Sequence, residues 1–135
     1  MQIELSSKEF RSLLDLVYIG NWILNSIRGD DRFKDYDDLE SKLFALCRTN
    51  GMDVLAEDWN DTVVPSQAYQ CGGIQEVIAY YEDSVFYDLL AEEMAMRDMG
   101  YCPITPDNYD DMVLRTSQYL QEFEAYGLQR LVLED

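Results

Sequence analysis

Hydrophobic residues recur along most of this chain with the three-to-four-residue spacing of an amphipathic α-helix. The first helical stretch is predicted to begin near Ser7, because Ser6 and Glu9 have the spacing of a capping box, and to continue to about Arg28. The apolar side of this stretch is broad, which indicates a helix at the centre of a core.

Three further helices follow from the same pattern. The first of them is predicted to be capped by Asp35 or Asp37 and to end at Asn50-Gly51. The other two are predicted over residues 74–99, with a break near Asp83-Ser84 as an alternative, and from a cap at Thr105-Pro106 to Gly127. Residues 52–73 lose the periodicity and contain turn-forming proline and glycine, so they are predicted to form a surface loop, with a lid as the alternative.

The two ends of the chain have the pattern of short strands. Residues 1–5 alternate polar and apolar side chains, and residues 128–135 are a plausible second strand. Because an isolated strand leaves its backbone groups unsatisfied, the two ends are predicted to pair. The predicted fold is therefore mainly α. It is a single compact domain, residues 1–135, of four to five helices with a small two-stranded ribbon formed by the N- and C-terminal segments.

The charge of the chain narrows the classes of partner. There are 27 Asp and Glu against 10 Lys and Arg, a formal net charge of -17, while 47% of the residues are hydrophobic. The hydrophobic fraction is sufficient for a core and argues against general disorder. The charge leaves no basic stripe for nucleic-acid phosphates and disfavours an anionic membrane surface. We therefore expect neither nucleic acid nor membrane as a partner, and a basic protein remains compatible.

The chain has no histidine, which excludes several kinds of catalytic site. A Ser-His-Asp triad, a Cys-His pair and a histidine-ligated zinc cannot be built from it. Its cysteines, Cys47, Cys71 and Cys102, are odd in number and lack CxxC spacing. With no recognisable signal peptide or long apolar run, the predicted compartment is the reducing cytoplasm.

Asp88 and Glu92 are the candidate metal ligands of the acidic stretch 80–100. They are four residues apart on a predicted helix, and they would hold Mg²⁺ only if a facing helix added further oxygens. The all-α nucleotide pyrophosphatases place an ExxE motif on one helix and an ExxD motif on the next, and this pair of motifs is not found here. A metal-dependent all-α phosphohydrolase is therefore the alternative function, and a protein without a cofactor is the main prediction.

Glu93 and Arg97 are four residues apart in the favourable acid-first order. They lie on the helix side that holds Val85, Phe86 and Leu89, which is predicted to face the core. Two interpretations remain open. The pair is either a structural ion pair within the apolar face, or Arg97 is held by Glu93 to bind an anionic ligand.

Tyr18 and Trp22 lie one turn apart on the polar strip of the first helix. Large aromatic side chains on such a strip are either covered by another segment or exposed as anchors of a protein interface, including that of a homodimer. Trp59 and Tyr69 of the 52–73 loop are available to supply the cover.

Residues 81–98, YEDSVFYDLLAEEMAMRD, resemble a segment of small uncharacterised bacterial helical proteins. Residues 13–25, LLDLVYIGNWILN, are similar to the opening helix of the same proteins. The resemblance implies a bacterial helical protein without an assigned activity, carries over no catalytic residue and draws attention to Arg97-Asp98. Taken together, the residues predict a small acidic cytosolic protein that acts through protein–protein contact. Its partner is predicted to be a second copy or a basic protein, as for an immunity- or antitoxin-like inhibitor.

Overall fold

A computed structural model describes residues 1–134 and is dominated by helices. The elements are α1 (Ser7–Asn25), α2 (Lys34–Ala45), β1 (Ala56–Trp59), β2 (Thr62–Pro65), a short α3 (Gln67–Tyr69), α4 (Gln75–Asp98) and α5 (Tyr109–Tyr126). Two 3₁₀ turns, Leu46–Thr49 and Asp53–Leu55, precede the strands, and a π-helical turn, Gln70–Ile74, precedes α4. The predicted class, mainly α with a small antiparallel ribbon, is confirmed.

The ribbon is formed by a different part of the chain from the one predicted. β1 and β2 make an antiparallel hairpin within the supposed loop 52–73. Asn60 and Asp61 both have positive φ, 47° and 64°, as the two central residues of a tight hairpin turn require. Residues 1–5 and 128–134 form no strand, and Asp135 lies outside the described residues. The prediction of paired ends is therefore wrong, because a two-residue turn closes a ribbon at far lower entropic cost than joining the two ends.

Contacts divide the chain into two compact units, Met1–Ile78 and the part from Ala79 onward. The boundary falls within α4, and each unit is described by itself. The prediction of one domain, residues 1–135, stays a prediction.

The core of the first unit surrounds Tyr69, which α3 brings against α1 and α2. The Tyr69 ring packs edge-to-face on Tyr18 at 5.3 Å and on Phe44 at 5.0 Å between centroids. Its hydroxyl donates a hydrogen bond to Asp15 Oδ1 at 2.8 Å, so the polar end of the buried ring is satisfied. The remaining buried members of this core are Phe10, Leu14, Cys47, Ile74 and Ile78.

The start of α1 is set by local interactions that were predicted correctly. The Ser6 hydroxyl accepts a hydrogen bond from the Glu9 amide at 3.2 Å, and the Ser6 amide donates to the Glu9 carboxylate at 2.8 Å. This reciprocal capping box satisfies two backbone donors at the helix start.

The second unit contains the rest of α4, α5 and the segments that follow each of them. The Tyr87 ring of α4 contacts the Phe123 ring of α5, with centroids 5.4 Å apart. α5 begins at Tyr109 rather than at the predicted Thr105-Pro106 cap, because the Asn108 side chain accepts a hydrogen bond from the Thr105 amide and closes a separate turn. α5 ends before Gly127 as predicted, with Gly127 at a φ of 57°.

Candidate functional sites

The side of α4 that was predicted to face the core is exposed at Phe86 and Leu89 and only half-buried at Val85, Leu90 and Met96. Phe86 and Leu89 are 47% and 58% exposed, whereas Ala91 and Ala95 are fully buried. At about 100° per residue, the two alanines lie on the same side as Tyr87, opposite Phe86 and Leu89. The predicted orientation is therefore wrong. α4 has apolar side chains on both sides, so periodicity alone does not select the packed one, and the contact of Tyr87 with α5 decides it.

Glu82, Phe86, Leu89 and Glu93 form one line along this exposed side, and we call it the α4 stripe. Their spacing of four, three and four residues places them on successive turns. The two apolar side chains lie in the middle with an exposed glutamate at each end. Within residues 1–134, no ion pair includes either glutamate. Exposed apolar side chains rimmed by charge are typical of protein-binding surfaces.

Arg97 lies against Asp98 and Tyr119, not against Glu93. Its Nη2 and Nε donate to Asp98 Oδ1 at 2.8 and 3.1 Å, and Nη2 also lies 3.2 Å from the Tyr119 hydroxyl. Tyr119 in turn donates a short hydrogen bond to Asp98 Oδ2. The Tyr119 hydroxyl and then Arg97 hold the pKa of Asp98 below its usual value. In the part of the chain that the structure describes, no ion pair joins Glu93 to Arg97, so the partner of Arg97 is corrected to its neighbour Asp98.

A cavity of about 380 Å³ lies between α4, α5 and the segment after α5 within the second unit. Its charged side chains include Arg115, which pairs with Asp111 at 3.0 Å, and Arg130, which pairs with Glu122 at 3.1 Å. Each of these arginines already has a carboxylate partner, as Arg97 has. The interpretation of Arg97 as the binding group for an anionic ligand gains no support from this arrangement and stays a prediction.

Asp88 and Glu92, the candidate ligands of the alternative metal site, are both exposed on α4. Glu92 borders a groove against α5, and the other side chains of that groove are uncharged. Among residues 1–134, no three acidic or thiol side chains converge closely enough to hold a metal ion. The convergence of acids from two helices, which a Mg²⁺-dependent hydrolase needs, is therefore not found in these residues.

Tyr18 follows the first of the two predicted alternatives, because it is covered. Only 8% of it is exposed, Tyr69 provides the cover, and its hydroxyl accepts a hydrogen bond from Gln75 Nε2 at 2.8 Å. Trp59, the other predicted cover, is itself 63% exposed. Trp22 is half-buried beside Tyr18, and the role of Trp22 in an interface stays a prediction.

Tyr18 and Trp22 line a pocket of about 190 Å³ between α1, α2 and the loop that joins them, and we call it the α1–α2 pocket. Its other lining residues are Asn21, Ser26, Arg32 and Glu40. Two buried asparagines, Asn21 of the lining and Asn25 one turn further along α1, are hydrogen-bonded to each other. Asn25 Nδ2 donates to Asn21 Oδ1 at 2.7 Å, and the Phe33 amide donates to Asn25 Oδ1 at 2.7 Å, which ties the loop to α1.

The acidic member of this pocket, Glu40, has no cationic partner within the described residues. Arg32 forms its ion pair with Asp37 instead, and its Nε and Nη2 donate hydrogen bonds to the Asp37 carboxylate at 2.9 and 2.7 Å. Burial is the main reason that the pKa of Glu40 is raised to about 7. A hydrogen bond from Asn21 lowers this pKa, the nearby carboxylate of Asp37 raises it, and the charge of Arg32 lowers it. Glu40 is thus a carboxylate that takes up a proton near neutral pH.

Reasoning from the sequence singled out Tyr18 and Trp22 of this pocket but missed Glu40. Glu40 sits in an acid-rich helix, where a carboxylate is ordinarily a solvated surface group. The sequence feature that could have identified Glu40 is its spacing of three residues from Asp37. This spacing places two carboxylates on one helix face beside a single arginine, Arg32.

Comparison of the chain with protein-family models, with curated proteins and with solved structures found no match. The similarity to small bacterial helical proteins stays a prediction. In the part of the chain that the structure describes, no helix combines the length and the apolar character needed to cross a membrane.

Proposed function

We propose that this chain is a non-catalytic cytoplasmic protein that binds a basic partner protein through the α4 stripe. The observation that carries the proposal is the exposure of Phe86 and Leu89 between two glutamates that have no ion-pair partner in the described residues. An acidic inhibitor of a basic protein, of the immunity or antitoxin kind, belongs to this class.

The apolar centre of the α4 stripe has the size of a small binding anchor. Phe86 and Leu89 each leave about half of their surface in water. Covering the exposed part of each side chain is worth about 1 kcal/mol, given that full burial of such a side chain is worth about 1.5 to 3 kcal/mol. A few such residues account for most of the binding energy in ordinary interfaces.

The charge distribution favours a basic partner over a second copy of this chain. Two copies, each with a formal net charge of -17, would repel one another at every approach. A basic partner would instead be attracted before contact, and its Lys or Arg side chains would meet Glu82 and Glu93 at the two ends of the stripe. The homodimer predicted through Tyr18 and Trp22 is less favoured, since Tyr18 is covered.

The test compares two double variants of the immobilised protein. Phe86→Ser/Leu89→Ser removes the apolar centre of the stripe, and Leu16→Ser/Ile23→Ser removes two exposed apolar side chains from α1, 70% and 57% exposed, as the matched control. Captured proteins are identified by mass spectrometry, and the secondary structure of each variant is checked by circular dichroism.

We expect a protein with a basic isoelectric point to be retained by the wild type and the control and lost from the stripe variant. Raising the ionic strength from about 0.05 to about 0.5 M should release it, because screening shortens the range of the attraction. Equal retention by the stripe variant, or binding that is insensitive to salt, would overturn the proposal. A dimer in light scattering that the stripe variant abolishes would assign the stripe to a second copy instead.

A further inference from the structure

We infer that the α1–α2 pocket binds an organic ammonium group, with Glu40 as the counter-ion and Trp22 and Tyr18 as the aromatic wall. The site lies wholly within the first unit and does not depend on the proposed role of the α4 stripe. The same chemistry is offered by the side chain of a lysine in a protein and by a free alkylamine.

The pocket has the dimensions of such a ligand. Its volume of about 190 Å³ corresponds to about six water-sized groups at roughly 30 Å³ each, enough for an ammonium on a four-carbon chain. Tyr18 and Trp22 are one turn apart on α1, and Glu40 reaches the same space from α2. Aromatic faces beside a carboxylate are a recurrent arrangement for holding alkylammonium cations.

Glu40 is the reason to expect a cation rather than an anion. Its side chain is half-buried, and burial is the largest cause of its raised pKa, yet the nearby arginine, Arg32, is held at two atoms by Asp37. A buried charge without a partner is costly, and a cation that enters the pocket removes that cost. An anion would meet the carboxylate of Glu40, and the one guanidinium among the lining residues, that of Arg32, is already held by Asp37.

An organic cation fits this donor set better than a metal ion. Among residues 1–134, Glu40 is the only carboxylate that lines the pocket, whereas Ca²⁺ and Mg²⁺ take six or more oxygen ligands. Within residues 1–134, no cluster of three acidic or thiol side chains has metal-binding geometry. Trp22 and Tyr18 are aromatic lining residues, and aromatic rings stabilise a weakly hydrated alkylammonium better than a strongly hydrated metal ion.

Proton release is expected to accompany binding. The charged and titratable groups that face Glu40 are Tyr18 from α1, Arg32 from the connecting loop and Asp37 from its own helix. Because burial raises the pKa of Glu40 to about 7, the ionised form that attracts an ammonium increases about tenfold between pH 6 and pH 8. Affinity should rise by about the same factor over that range.

Trp22 itself can report binding. The chain has two tryptophans, so Trp59→Phe leaves Trp22 as the single tryptophan. Its fluorescence is titrated with n-butylammonium, with N-acetyl-lysine amide, with neutral n-butanol and with sodium chloride at matched ionic strength. We expect saturable changes with the two ammonium probes, tighter at pH 8 than at pH 6, and no saturation with butanol or sodium chloride.

The relative affinities of the two ammonium probes distinguish the two sources of the ammonium group. Tighter binding of N-acetyl-lysine amide supports a lysine side chain of a protein, and tighter binding of n-butylammonium supports a free amine. Glu40→Gln, made in the Trp59→Phe background, should lower the affinity at least tenfold and remove its pH dependence. Glu57→Gln, on exposed β1, is the matched control and should change neither.

Three results would overturn the inference. They are the absence of any saturable signal from Trp22 with the ammonium probes, equal binding of butanol, and unchanged binding by the Glu40→Gln variant. Circular dichroism tests whether Glu40→Gln is folded. Should it fail to fold, the titration of the Trp59→Phe protein across pH 6 to 8 decides the question, since an affinity independent of pH contradicts a role for Glu40 as the counter-ion.

Discussion

Replacing Glu40 by glutamine should stabilise the protein at alkaline pH and leave it nearly unchanged at acid pH. Glutamine keeps the shape of the side chain and removes its charge. Burial raises the pKa of Glu40 from 4.5 in its ordinary state to about 7 in the folded protein. The folded state therefore holds the Glu40 proton more tightly than the unfolded state does.

The sign of the effect follows from proton linkage. Below about pH 4.5, Glu40 is protonated in both states and does not affect the pH dependence of stability. As the pH rises from about 4.5 to about 7, the unfolded state releases the proton first, so the free energy of unfolding falls. Above about pH 7 the full penalty of the buried carboxylate is present. Glu40→Gln lacks this penalty at every pH.

The magnitude follows from the size of the pKa change. A rise of about 2.5 pKa units corresponds to about 3 kcal/mol at 1.36 kcal/mol per unit. Glu40 retains contact with water at the mouth of the pocket, and solvent screening reduces the effect to about 1 to 2 kcal/mol. We expect the variant to exceed the wild type by that amount at pH 8 and to match it near pH 4.5.

Urea unfolding followed by Trp22 fluorescence in the Trp59→Phe background measures the free energy of unfolding of the first unit. Stability is determined at several pH values for this protein and for the Glu40→Gln and Glu57→Gln variants made in it. Other groups also titrate, so the quantity of interest is the difference between variant and parent at each pH. A difference that is absent at pH 8, or equal at pH 5 and pH 8, would refute the reasoning, as would the same difference in the Glu57→Gln control.

Three further predictions concern other parts of the molecule. Tyr69→Phe keeps the central ring but removes its hydrogen bond to Asp15, and urea unfolding should show a loss of about 1 to 2 kcal/mol; an unchanged midpoint would mean that water replaces the bond. Gly127→Ala places a Cβ at a φ of 57°, so thermal unfolding should show a loss of about 1 kcal/mol, and unchanged stability would contradict the positive φ of Gly127. Calorimetry with millimolar Mg²⁺ or Mn²⁺ should give no binding heat, and a heat lost in Asp88→Asn/Glu92→Gln would instead support the metal-dependent alternative.

Hydrophobic periodicity and local signals determined most of the secondary structure. The capping box of Ser6 and Glu9 marks the start of α1, and Gly127 marks the end of α5. Such signals act between residues a few positions apart, so they can be recognised without knowing what the helix packs against. The turn at Asn60-Asp61 belongs to the same class, since both residue types tolerate positive φ, although residues 52–73 were predicted to form a loop.

The packed side of α4 could not be determined in the same way. Phe86 and Leu89 have the hydrophobicity of core residues, and the structure nevertheless leaves them in water while it buries Ala91 and Ala95. Periodicity describes one helix, whereas burial depends on the elements packed against it. The location of Arg97 has the same cause, because Tyr119 of α5 orients the carboxylate of Asp98.

The sequence by itself thus determined that the chain is acidic, mainly helical and without histidine chemistry. Only the tertiary structure decided which of its many carboxylates has unusual properties. Glu40 differs from the exposed Glu57 in that the helix pairing of α1 and α2 removes it from water while Asp37 occupies the nearby arginine. Desolvation and competition for a counter-ion arise from residues that are distant in sequence, and for that reason they exist only in the folded chain.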